Sequence, residues 1–511
     1  MRREGLAALS GLLLVLSFPK LGHGAVAWVA LAPLLVALAG ASGWRGARLG
    51  YVTGAVSSVG LLYWTALVVV QFGGLALPVG VLVMGALCLA FSVFHALFGW
   101  GTARLVARFG PAGLLGAPFL WVGLEYARTH TFFSFPWVLL GYSQHAQLPF
   151  VQVASFAAVY GVSFLVCSVA ALLAYAALAP AARAQRSGVA GAALLVVAAW
   201  GFGRWQMQRP LPETGRLVVG LVQGGVRQED KWVPENAWAN VDRHLRLTET
   251  AAEKGARLVV WPESAVPFLF DEDRDLAEML RETARQRRIY LFFGNDDRER
   301  VPGARGRIYV GAKLLDPEGR LAARYRKIHL VPFGEYVPLQ PLFTLGGRFA
   351  AKLVQEVSDF TPGEEATTGL VDGHPVGGFI CYEAIFPSLV RRFAAGGAEL
   401  LVNVTNDAWY GTTSAPYQHL AMAAFRAVEN RRYLARAANT GITAVVDPWG
   451  RVLEPTRLFD ATVVVREVPL VAETTFYTRH GDVFARACAA SDLALVAATF
   501  RGAWAGGRNR G

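Results

Sequence analysis

Long apolar runs with short breaks fill the first part of the chain. They fall at residues 5–19, 25–41, 51–70, 76–100, 112–127, 150–179 and 188–203. Most reach the roughly 17–25 residues a helix needs to cross the hydrocarbon core of a bilayer. The first two are short and are joined by Ser17-Phe18-Pro19-Lys20. The first run could be read as a secretory signal, but no small-residue cleavage site follows it and apolar spans continue directly. A last run, Val483–Phe500, carries Arg486 and Asp492; it is kept as a span because Arg501, Arg508 and Arg510 follow it. The pattern predicts about eight transmembrane helices, seven within 1–208 and one at 483–500.

From 215 to 480 the period changes. Short apolar stretches at 217–223, 256–261, 289–294, 307–316, 321–330, 376–380, 400–404, 442–447 and 462–468 read as strands. Longer amphipathic stretches at 234–254, 275–287, from near 387, and at 416–434 read as helices. Strands alternating with helices predict a layered α/β domain.

Composition agrees with a membrane domain joined to a water-soluble one. Hydrophobic residues make up 54% and charged residues only 17%, and the mean hydropathy is +0.35. The formal charge of +11 does not point to nucleic acid, because arginines gather in alternate loops rather than on one face. Arg2 and Arg3, Arg45 and Arg48, Arg104 and Arg108, and Arg183 and Arg186 mark every second loop, while Lys20 and Arg128 are the chief cations of the others. The positive-inside rule then puts both termini in the cytoplasm and the α/β domain on the opposite side. Glu125, late in the fifth run, is a functional candidate as an acid inside a span. The plainer expectation is an interfacial residue near the aromatic anchors Trp137 and Tyr142.

Of four cysteines, Cys88, Cys167 and Cys488 lie in apolar runs, and Cys381 alone lies in the polar part. Three predicted strand ends carry reactive groups: Trp261-Pro262-Glu263, Tyr325-Arg326-Lys327 and Ile380-Cys381-Tyr382-Glu383. Each alone has an ordinary structural reading. Together they supply a thiol, a carboxylate to take its proton and an ammonium to steady the resulting charges.

These three motifs resemble the triad of the carbon–nitrogen hydrolase (nitrilase) superfamily. Further motifs are similar to its membrane-embedded branch, the apolipoprotein N-acyltransferases: Val222-Gln223-Gly224 with Lys231-Trp232, the run from His329 to Pro338, Asn406-Asp407-Ala408-Trp409-Tyr410-Gly411, and Phe135-Pro136-Trp137. The resemblance implies an αββα sandwich with Glu263, Lys327 and Cys381 catalytic. It also implies supporting or substrate-binding roles for Glu335, Glu383, Tyr382 and Trp232, with no cofactor and no metal. The implied reaction moves an acyl chain from a phospholipid, with phosphatidylethanolamine the expected donor, through a thioester on Cys381. The acceptor is the α-amino group of a diacylated apolipoprotein, and the setting is the bacterial cytoplasmic membrane. Val310 departs from the family, which often has asparagine there. An apolar segment, 333–354, could dip into lipid or close over the site. Two competitors stand beside this reading: a tethered amidase using the same triad on small amides, and a transporter or receptor whose α/β domain only binds.

Overall fold

A computed structural model describes residues 3–20, 22–131, 134–231, 233–266, 268–300, 306–337 and 360–507. Trp232, most of the apolar 333–354 segment, Arg2, Arg508 and Arg510 lie outside the described residues. The chain forms two compact units. One comprises Met1–Arg209, Thr413–Phe425 and His480–Gly511; the other comprises Pro210–Thr412 and Arg426–Arg479.

The first unit is helical, with helices at all eight predicted runs. Among the described residues, four helical stretches are long and apolar enough to span: Leu77–His130, Ala154–Leu178, Ala182–Gln208 and Val483–Phe500. Leu77–His130 covers two predicted runs, divided by a 3-10 segment at Gly110–Gly116. Gly43–Leu62 and Trp64–Phe72 make a fifth span if taken together, bent by 50°. The first two runs fall short. Arg3–Val15 has 13 residues, about 20 Å of helix against a core of about 30 Å. Leu31, Leu34, Leu35 and Leu38 pack with Phe98, Trp121 and Val166 in the core.

Gly46, Gly50 and Gly54 are spaced four apart and line the face of Gly43–Leu62 that meets Leu77–Phe109. A methyl at Gly50 would collide with the His95 carbonyl, and one at Gly46 with the Gly99 carbonyl. Without a hydrophobic drive between helices in lipid, such close approach is what makes packing favourable.

Glu125 packs inside the helical unit. It is buried and accepts hydrogen bonds from the Trp121 indole N–H (2.9 Å) and the Leu140 N–H (2.7 Å). Trp137 and Tyr142, expected as aromatic anchors, are each 1% exposed, so both rings pack within the protein. Both donors to Glu125 sit on Oε1, and fixed donors of this kind replace part of the water a buried carboxylate gives up.

The second unit holds two six-stranded sheets. One runs Thr462–Val471, Glu213–Gln223, Leu258–Val260, Tyr290–Gly294, Gly311–Leu315, Leu321–Arg326 in space; the other runs Val452–Leu453, Ala444–Val446, Tyr433–Ala438, Leu400–Thr405, His374–Ile380, Thr368–Val371. Each has a parallel core of three strands. Two adjacent glycines reveal the layering. A methyl on Gly377 would meet Phe393 of the helix Pro387–Ala395 at 2.7 Å, whereas one on Gly378 would strike the Phe292 ring of the other sheet. On the far side Gly220 abuts Ala251 of the helix Ala237–Glu253. Since successive strand residues face opposite ways, each sheet has a helix on one face and the other sheet on the second. This is the αββα arrangement the motifs implied.

Three details depart from the predicted elements. The strand expected at 307–316 is split: Arg307–Tyr309 pairs with Asp297–Glu299 in a separate ribbon, and Gly311–Leu315 stays in the sheet. The strand expected at 321–330 stops at Arg326, which leaves Lys327 at its end. The helix expected to reach 434 stops at Asn430, and Tyr433–Ala438 is a central strand. Arg436 lies in that strand and Arg432 just before it. Both are buried, and Arg436 pairs with Asp407 at 2.8 Å.

Candidate active site

Parallel neighbours end at a common edge, where open α/β sheets form clefts. Val404 lies opposite Ile380, so Thr405 and Asn406 run out beside Cys381. Leu258–Val260, in the other sheet, ends just before Trp261-Pro262-Glu263.

Cys381 opens a 3-10 turn, Cys381–Ile385, and holds φ at +48°. That region costs a residue with a Cβ roughly 1–3 kcal/mol, and such strain gathers at functional turns. The side chain is buried. Burial pushes the thiol far above its ordinary pKa; the Glu263 carboxylate adds to the rise and Lys327 opposes it. A thiol so placed needs a base at the moment of attack.

Glu263 has a donor on each oxygen: Lys327 Nζ on Oε1 at 3.0 Å and the Asn406 N–H on Oε2 at 2.9 Å. The Lys327 ammonium also donates to Glu335 Oε1 at 2.6 Å, and Glu335 Oε2 accepts the Val331 N–H at 2.9 Å. Burial alone would lower the lysine's pKa, but Glu263 and Glu335 outweigh it and hold the group well above its ordinary value. Lys231, also buried, donates to the Glu263 carbonyl at 3.1 Å. Burial brings it down to about 8, against the pull of Glu263, Asp296 and Cys381.

Glu383 acts differently from Glu335. Its Oε1 accepts from the Tyr325 hydroxyl (2.7 Å) and from the N–H groups of Ile328 (2.6 Å) and His329 (3.1 Å); its Oε2 accepts from the Ile380 N–H at 2.7 Å. Burial lifts its pKa to about 7, and these donors work against the rise. The carboxylate thus clasps the backbone on both sides of the site rather than the lysine head. Tyr382 is buried with its ring 5.2 Å from Phe386, on which His329 stacks at 4.2 Å. Trp232 is among the residues not described. At Val310 the backbone carbonyl accepts the Lys327 N–H at 2.8 Å, an interaction any residue supplies.

The structure therefore brings together Glu263, Lys327 and Glu335, with Cys381 inside the field of the first two. Lys231, Thr405 and Asn406 were missed as site residues. Lys231-Trp232 and Asn406-Asp407 stood out as motifs, and parallel pairing of 400–404 with 376–380 would have put Asn406 beside the thiol.

The Carbon-nitrogen hydrolase family model matches residues 218–476. A second, the Apolipoprotein N-acyltransferase N-terminal domain, matches residues 10–172. The apolipoprotein N-acyltransferase of Geobacter metallireducens is 41% identical over 98% of this chain and 96% of its own length. That of Gloeobacter violaceus is 36% identical over 95% and 91%. Among solved structures, the crystal structure of an amidase from a Nesterenkonia species matches with a TM-score of 0.39 and 22% identity. It covers 55% of this chain and 98% of that one.

Proposed function

Because the chain belongs to the apolipoprotein N-acyltransferase family, we propose that Cys381, Glu263 and Lys327 carry its acyl transfer to apolipoproteins, the last step of lipoprotein maturation. The observation behind this is the Lys327 ammonium, held between Glu263 and Glu335 and acting electrostatically on a thiol at a strained turn.

Glu263 takes the Cys381 proton as the sulfur attacks a phospholipid ester carbonyl. Lys327 and a backbone N–H near Tyr382 stabilise the oxyanion. The ester C–O bond breaks, Glu263 returns the proton to the leaving lysophospholipid, and a thioester remains on Cys381. The α-amine of the diacylated lipoprotein then attacks the thioester. Its C–N bond forms, the C–S bond breaks, and a proton passes by way of Glu263 to the sulfur. Glu335 fixes the Lys327 head, and Glu383 fixes the turn that presents Cys381.

The donor in this reading is phosphatidylethanolamine. The chain is a multi-pass protein of the bacterial cytoplasmic membrane, with spans within 1–208 and at 483–500. Residues 215–480 form the catalytic domain on the outer side, and both termini lie inside. The alternation of arginine-bearing loops supports this topology. Both substrates are lipids, and a membrane-bound site spares the cost of exposing their chains, about 0.8 kcal/mol per CH₂.

Intact-mass analysis after incubation with phosphatidylethanolamine is expected to show one acyl adduct on Cys381. It should be absent in Cys381→Ser and slow to form in Glu263→Gln. An adduct on Cys88, Cys167 or Cys488 would overturn the assignment.

A further inference from the structure

Asp296 lies two residues beyond the strand Tyr290–Gly294, on a stretch pressed against the Glu263 turn. The Gly294 N–H donates to the Pro262 carbonyl at 3.3 Å, Ala265 N–H donates to the Gly294 carbonyl at 3.2 Å, and a methyl on Gly294 would come within 2.6 Å of the Glu263 Cα. The next acid in sequence, Asp297, is saturated, with Arg324 Nη1 at 2.5 Å, Arg326 Nε at 2.8 Å and Lys313 Nζ at 3.8 Å. Asp296 is not. The residue is half-buried, and its Oδ1 is buried and accepts no hydrogen bond among the described residues. The neighbouring Lys313 ammonium turns to Asn295 and to the Asp296 backbone carbonyl. A buried carboxylate oxygen left unsatisfied is costly, and such a group calls for a partner.

The charges around it suggest what that partner is. Lys231, Glu263, Glu335 and Lys313 all act electrostatically on Asp296. Lys313 is matched by Asp271 and Asp297, and Glu383 is occupied by backbone and tyrosine donors. Lys327 is held by Glu263 and Glu335, and Lys231 acts on Glu263 and Asp296; these two ammoniums against three carboxylates leave one negative charge over. The substrate of the second step arrives as a cation, since an α-amino group has a pKa of about 7.7–8.0. Burial pushes Asp296 up to about 6, with Glu263 and Glu335 adding to the rise and Lys231 and Lys313 opposing it. That is nearer the working range of a general base than an ordinary aspartate.

We infer that Asp296 is the acceptor-binding carboxylate of the second half-reaction, receiving the α-ammonium of the lipoprotein N-terminus and taking one proton from it. The inference rests on the thioester reading of Cys381. One N–H proton moves to Asp296 Oδ1, leaving a neutral amine whose lone pair attacks the thioester carbonyl. The second N–H proton follows the route through Glu263 to sulfur, and Asp296 later releases its proton to water. The Lys231 charge favours the ionised form of Asp296, and Glu263 and Glu335 keep it from becoming too weak a base.

The test separates the two half-reactions in the full-length Asp296→Asn protein. Lysophospholipid release from phosphatidylethanolamine, with no acceptor present, reads the first. Decay of the Cys381 adduct on adding a synthetic diacylated lipopeptide with a free N-terminus reads the second. We expect release within about twofold of wild type, and adduct decay slowed about tenfold at pH 6.5, where only a few per cent of α-amines are neutral. The deficit should shrink to less than about twofold at pH 9, where the amine arrives uncharged, and Asp296→Glu should recover part of the loss at pH 6.5. Equal slowing of both half-reactions, or a deficit that does not change with pH, overturns the inference and leaves a structural role. Absence of any adduct in the wild type would instead strike the Cys381 reading.

Discussion

Glu335 and Glu383 are eight and two residues from Lys327 and Cys381, and their geometry gives them separable tasks. Glu335→Gln removes one of two carboxylates on the Lys327 ammonium. Turnover should fall about a hundredfold, the usual scale for a lost electrostatic contact in a transition state, with KM little changed; steady-state assays with a fluorescent phospholipid and a lipopeptide would show it. Glu383→Ala leaves the Ile328, His329 and Ile380 N–H groups without their acceptor. The cost should appear as stability, about 3 kcal/mol or more for several buried donors, and as a lower Tm in detergent. His244 gives a pH effect. Burial lowers it from 6.5 to about 4, with Lys231 and Arg243 pressing the same way. A group whose folded pKa is depressed stabilises fully above its unfolded pKa, and the contribution fades as pH falls from 6.5 through 4. Over that window the catalytic unit should lose about 3 kcal/mol, and His244→Gln should flatten the Tm profile. Glu263, Lys327 and Cys381 were legible because reactive side chains interrupt apolar strands at their ends. Asp296 and Lys231 were not, because the burial of Lys231 and the unsatisfied oxygen of Asp296 depend on what the fold brings near.

Elements follow the same division. The strands and helices of the catalytic unit were readable wherever apolar positions alternated. The reading failed at Tyr433–Ala438, where Arg432 and Arg436 belong to the core, with Arg436 held by Asp407; hydropathy cannot tell a paired interior arginine from a solvated one. In the membrane unit the runs were evident but the spans were not: the 50° bend between Leu62 and Trp64 falls inside an unbroken apolar run, whereas the 3-10 break after Phe109 falls on Gly110-Pro111, between two of the runs. The Gly46, Gly50 and Gly54 row makes a prediction of its own. Gly50→Leu must push apart two helices whose backbones touch at His95, at a cost of about 1–3 kcal/mol or more from overpacking. Reduced yield and a lower Tm of the detergent-purified protein are expected, whereas Gly85→Leu, where nothing lies within 4 Å of the added carbon, should be neutral.

For the whole chain, the two units are interleaved in sequence. Thr413–Phe425 belongs with the N-terminal helices: Gln418 is buried, accepts from the Trp137 indole at 2.8 Å and donates to the Leu61 carbonyl at 3.3 Å, and the Ser414 N–H donates to the Tyr63 hydroxyl at 3.1 Å. A fragment covering only 210–479 keeps this segment and loses those partners. It should aggregate or melt well below the full chain, and a monodisperse fragment with an undiminished melting transition would contradict the division. Glu383 bears on how such a protein can be rebuilt. Lys327 follows a strand of one sheet and Cys381 a strand of the other, yet a single carboxylate grips the backbone beside each. Chimeras assembled from two relatives must therefore inherit residues 325–329 and 380–383 from the same parent, since a crossover between those segments would join half-sites never fitted to one another.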